Sequence, residues 1–231
     1  MQVIQRPQLS LLITEAIRSV KERVQSAKFR RTYQPQVLGD GHPVVVIPGF
    51  LAGELSTQPL RDFTTKIGYT AYDWDMGRNY ARIENLPTLL KQLNKIYKKH
   101  QLKLTLIGWS LGGIYARELA KRNPEIIRHV ITMGSPFKNV RDCNNVSWIY
   151  EIMHSQEIKD AHQLLLADIP TPPAIPTTCI YSKADGIVPW ELCVEDTASE
   201  LYENIEVDSP HLGMGFDREV LELVANLLAK Y

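Results

Sequence analysis

Gly108-Trp109-Ser110-Leu111-Gly112 sets a serine between two glycines, after the apolar run Leu104–Ile107 and before a helical pattern that ends at Arg122. A strand, a tight turn and a helix are the context in which G-x-S-x-G exposes a nucleophile; the flanking glycines let strand and helix approach. A serine hydroxyl is a weak nucleophile until a base takes its proton, and that base needs an orienting carboxylate. Of six histidines, His42, His100 and His129 sit before a strand, at a helix end and at a strand start, and His154 and His162 fall in a long insertion. His211, in Asp208-Ser-Pro-His-Leu-Gly213, lies on a loop between the last strand and the last helix, the edge where Ser110 also emerges. The acid is expected on a strand-to-helix loop between the two. Asp185, in Ser182-Lys-Ala-Asp-Gly-Ile-Val-Pro189, meets that condition better than Asp168 in the insertion or Asp208 beside the histidine. An oxyanion needs two backbone donors, expected from Leu111, after the serine, and from Phe50, in the loop after the first buried strand. Leu51 and Trp109 near the serine, with Trp148 and Met153 in the insertion, are the candidate contacts for an apolar substrate chain.

These side chains have to be carried by a scaffold. Val44-Val-Val-Ile47, Tyr69–Trp74, Leu104–Ile107, His129–Met133, Thr177–Tyr181 and Asn204–Val207 read as strands. Between them, helical patterns cover Asp62–Ile67, Leu86–His100, Ile114–Arg122, part of Trp190–Leu201, and Arg218–Tyr231. Strands separated by helices predict a mostly parallel sheet covered on both faces, in three layers. Gln8–Lys28 reads as a helix, with Leu9, Leu12, Ile13, Ala16, Ile17, Val20 and Val24 on one face and Glu15, Arg18, Lys21 and Glu22 on the other. It is expected to pack on the domain; a peripheral membrane or partner surface is the alternative. The connection Phe137–Pro176 is long for a compact domain and predicts a helical cover over the site.

The chain of 231 residues carries 26 basic and 26 acidic side chains, and this balance gives no reason to expect a nucleic-acid partner. Three cysteines without C-x-x-C or metal spacing predict reduced thiols, and no histidine spacing suggests a metal site. No cofactor motif is present: Gly108–Gly113 has neither dinucleotide spacing nor a Walker lysine. No apolar run reaches a transmembrane length and no secretory pattern opens the chain, so a cytoplasmic protein is expected.

Val44-Val-Val-Ile-Pro-Gly-Phe50, Gly108-Trp-Ser-Leu-Gly-Gly113, Met133-Gly-Ser-Pro-Phe137, Ser182–Pro189 and Ser209–Gly213 together resemble the α/β-hydrolase superfamily, most of all its small bacterial lipase and esterase members. The resemblance runs from Pro43 to Tyr231. It implies one α/β-hydrolase domain over residues 1–231, with 1–40 as a helical extension and 137–176 as a lid at the family's strand 6–7 position. It further implies a serine hydrolase acting on a small-molecule ester or lipid with an apolar acyl chain, without cofactor. The same residues would serve a thioesterase or an acyltransferase, and a non-catalytic binding protein is the rival of another class.

Overall fold

Val44 and Val46 face one side of the sheet, and Val45 and Ile47 face the other; all four are buried. Side chains alternate along a strand, so an unbroken β-branched run is stable only where both faces are covered. The computed structural model describes residues 7–138 and 168–231. Its strands are β1 Pro43–Ile47, β2 Thr70–Asp73, β3 Leu104–Trp109, β4 Ile127–Met133, β5 Thr177–Tyr181 and β6 Tyr202–Glu206. They form one parallel sheet in the order β2-β1-β3-β4-β5-β6. The helices are α1 Leu9–Thr32, α2 Glu54–Lys66, α3 Leu86–His100, α4 Leu111–Arg122 and α5 Arg218–Lys230.

Two cores sandwich the sheet. Leu89, Leu93 and Ile96 of α3 and Ile114 and Leu119 of α4 pack on Val45, Leu106 and Val130. Leu60 and Phe63 of α2 and Val220, Val224 and Leu228 of α5 pack on Val46, Ile107 and Ile131. These are the three expected layers. The chain leaves β1 toward β2 on one side and returns to β3 on the other, so the carboxyl ends of β1 and β3 flank a topological switch point, where open α/β sheets bind ligands.

Several boundaries differ from expectation. α2 begins eight residues before Asp62, with Pro59 inside it. Proline removes a helical hydrogen bond, but burial of Thr57, Pro59 and Leu60 sustains the first turns. Of Trp190–Leu201, expected to be helical in part, only one 3-10 turn forms, Trp190–Leu192. Beyond it Glu195 turns inward and pairs with buried Arg117 at 3.1 Å. The largest difference concerns α1. It packs on the domain, but through Glu15, Ser19 and Ser26. Its apolar stripe faces outward. Within the expected cover, residues 139–167, with Trp148 and Met153, lie outside the described residues.

Candidate active site

Ser110 occupies φ 54° and ψ −124°, a backbone conformation rarely taken by residues with a side chain and costing on the order of 1–3 kcal/mol. The packing around it enforces the bend. A Cβ on Gly108 would run into the Gly112 carbonyl, one on Gly112 into the Ile47 carbonyl, and one on Gly113 into Ser135 Oγ. The Ser110 N–H donates to Met133 O at 2.8 Å, which ties the turn to the end of β4. Leu111 opens α4, so its N–H belongs to the first helical turn, where no intrahelical acceptor is available. Its side chain is buried in the α3–α4 core.

The loop after β1 runs alongside. A Cβ on Gly49 would stand 3.1 Å from Ser110 Cβ, a distance that only a residue without a side chain keeps comfortable. Phe50 and Gly49 line a cleft of about 210 Å³ with Ser110, Trp109, His211 and Leu212. Leu51 sits at φ 57° beside it, 51% exposed.

His211 and Asp185 arrive from the loops after β6 and β5. His211 Nδ1 lies 2.5 Å from Asp185 Oδ2, and both side chains are buried. The second carboxylate oxygen, Oδ1, accepts the N–H groups of Ile187 at 2.8 Å and Val188 at 2.7 Å, which fixes the acid in place. Trp109 Nε1 donates to His211 O at 3.0 Å, so the residue before the serine steadies the histidine loop. Burial opposes a charged imidazole at His211, but the adjoining Asp185 carboxylate, by charge and hydrogen bond, and the more distant Glu15 outweigh it and raise the pKa above 6.5. A hydroxyl on a strained turn, an imidazole held by a carboxylate, and backbone N–H groups at a helix start can together perform acyl transfer. Asp168, by contrast, is at the surface on Lys121 Nζ, at 2.8 Å.

No family model matches the chain. A solved structure from the work on LipS and LipT, two metagenome-derived lipolytic enzymes, covers 86% of this chain and 98% of its own, with TM-score 0.62 and 16% identity. This is the α/β-hydrolase fold. The Bacillus licheniformis lipase BlEst2 in its mature form superposes over 85% of this chain and 94% of its own, with TM-score 0.59 and 14% identity. The biotin biosynthesis bifunctional protein BioHC of Teredinibacter turnerae is 46% identical over 54 residues, a stretch that spans 23% of this chain and 9% of that protein.

In this α/β-hydrolase fold two residues that sequence reasoning passed over hold the loops of the site. Glu15 of α1 is 2% exposed. Its Oε1 accepts the N–H of Gly186 at 2.7 Å and of His211 at 3.0 Å, and its Oε2 that of Leu212 at 3.1 Å. One carboxylate thus clamps the Asp185 loop and the His211 loop together. Arg18, one turn on, donates to Ala184 O at 2.8 Å and to Glu15 Oε1 at 3.3 Å. Nothing near Glu15 in the sequence marks it, because its partners lie 171 to 197 residues away. Asn79 does the same for the loop after β1: its Nδ2 donates to Pro48 O at 2.8 Å, its main-chain carbonyl accepts from Leu51 N at 2.8 Å, and its main-chain N–H donates to Ala52 O at 2.9 Å. Glu22, also on α1, accepts from Ser209 Oγ at 3.4 Å. Burial, and then the charge of Asp217, raise its pKa to about 8 despite Ser209 and Arg18.

Proposed function

We propose that this chain is a serine hydrolase that cleaves carboxylic esters with an apolar acyl chain through an acyl-enzyme. Ser110 Oγ attacks the ester carbonyl while His211 takes its proton, and Asp185 orients the imidazole and stabilises its charged form. The tetrahedral oxyanion is held by the N–H groups of Leu111 and Phe50. The intermediate collapses as His211 returns the proton to the leaving alcohol. Water, deprotonated by His211, then adds to the acyl carbonyl; the carboxylic acid leaves and Ser110 regains its proton.

The observation that carries this proposal is the Asp185–His211 hydrogen bond on a histidine that shares its cleft with the strained Ser110 at the sheet's switch point. The apolar rim of Phe50, Leu51, Trp109 and Leu212 favours an acyl chain over a sugar or a polar peptide. The test is intact-mass analysis after exposure to a fluorophosphonate, followed by a panel of esters and thioesters. One adduct per chain is expected for the wild type, and none for Ser110→Ala or His211→Ala. Labelling that survives Ser110→Ala would refute the assignment.

A further inference from the structure

The outward face of α1 is the least expected surface of the molecule. Leu9, Ile13, Ile17, Val20 and Val24 recur every three or four residues and are each 63–72% exposed. An apolar stripe of this length on the outside of a helix marks an interaction surface. Its charges are sorted by sign. The acidic residues of the helix, Glu15 and Glu22, both face the domain, where they hold the loop N–H groups and Ser209. The exposed charged side chains of the helix, Lys21, Arg23, Lys28 and Arg31, are all cationic.

Near its carboxyl end, Arg30, Arg31 and Lys66 line a cleft of about 330 Å³ together with Asp62. Arg30 Nε is buried there with no hydrogen-bond partner among the described residues. At the other end, the first turns of α1 touch the catalytic loops: Leu11 backbone lies against Gly186, and Glu15 holds Leu212, which is 41% exposed at the rim of the cleft. The stripe therefore runs from a cationic cleft to the mouth of the candidate active site.

We propose that α1 is an interfacial helix that docks the protein on an anionic phospholipid surface. The stripe enters the boundary between headgroups and acyl chains, the flanking lysines and arginines meet lipid phosphates, and Leu212 faces the bilayer. Apolar area and charge both contribute to such binding, as for helices that lie in a membrane plane. A second copy of the chain or a protein partner would bury the stripe equally well. The cations left along it, with no exposed acid on the helix, favour a surface of phosphates over either.

The test uses the full chain carrying Ser110→Ala, so that lipid binding is read independently of catalysis. Flotation is measured with phosphatidylcholine vesicles with and without phosphatidylglycerol, at low and high salt. We expect binding to the anionic vesicles that weakens with salt. It should fall about tenfold or more in Ile13→Ser/Ile17→Ser/Val20→Ser, and about fivefold per charge removed in Lys21→Gln/Lys28→Gln. These side chains are exposed, so both variants should melt like the parent, and the melting curve is recorded with each. No binding to anionic vesicles overturns the proposal. So does equal binding to neutral ones, or binding that survives Ile13→Ser/Ile17→Ser/Val20→Ser. Light scattering that shows a lipid-free dimer converted to monomer by Ile13→Ser/Ile17→Ser/Val20→Ser overturns it in favour of a self-interface.

Discussion

Replacing Glu15 with glutamine tests whether α1 belongs to the catalytic machinery as a positioning element. The carboxylate accepts three backbone N–H groups from the Asp185 and His211 loops. A glutamine can keep its oxygen toward Gly186 and His211, but its amide nitrogen then opposes the Leu212 N–H, donor against donor. Losing one charge-assisted bond and weakening two others gives about 3 kcal/mol, taking ~1.5–2 for the first and ~0.5–1 for each of the rest. In a chain of this size that lowers Tm by about 6–12 °C. The kinetic signature is separate. Glu15 is one of the charges that raise the His211 pKa, so the acid limb of the pH–rate profile should move to lower pH in Glu15→Gln. Displacement of the loops should also cost between ~10- and 100-fold in kcat. The assays are a thermal melt and a pH series of ester hydrolysis on the same preparation. An unchanged Tm together with an acid limb at its wild-type position would refute the clamp. A lower Tm with an unmoved limb would reduce Glu15 to a structural role.

Three further outcomes are expected. Wild-type activity should rise with pH along a limb above 6.5, since His211 must be neutral to act as base and its pKa is raised; Asp185→Asn should move this limb down and lower kcat on the order of 10⁴-fold. Glu22, raised from 4.5 to about 8 in the fold, contributes stability that is complete below 4.5 and is lost as pH climbs through about 8, so Glu22→Gln should flatten the decline of Tm with pH over that window. Gly113→Ala should destabilise by about 1–3 kcal/mol through its contact with Ser135, and adding Ser135→Gly should restore more than ~0.5 kcal/mol in a double-mutant cycle, strict additivity being the refuting result.

The parts of the fold legible in the sequence were those where one physical cause dominates. Val44–Ile47 announces a doubly covered strand, because four consecutive β-branched residues have nowhere else to go. Leu86–His100 has the expected limits because its apolar face is regular and Gln101 ends it in the left-handed region at φ 55°. Ser110, Asp185 and His211 were legible through their loops, since a parallel sheet delivers strand-to-helix loops to one edge. What escaped depends on contacts distant in sequence. The first turns of α2 override Pro59 by burial. Glu195 leaves the helical path after Leu192 for Arg117, a partner 78 residues away. The orientation of α1 was illegible for the same reason: periodicity reveals two faces but not which one meets the domain. Here the loops present N–H donors, and only the face bearing Glu15 can accept them.

The clamp also has a consequence for the order of events on the ribosome. Glu15 leaves the exit tunnel well before His211, and its bond to the His211 N–H closes a span of 196 residues. A contact of such separation incurs its loop-closure entropy before it returns any enthalpy, so it belongs to the late stages of folding. Until the segment after β6 has been made, the carboxylate of Glu15 has no native donor from His211 or Leu212. A chain stopped before His211 would lack the bonds by which Glu15 joins the Asp185 and His211 loops. Order in these loops is thereby linked to synthesis as far as Leu212, through a single glutamate that waits for donors made 196 and 197 residues later.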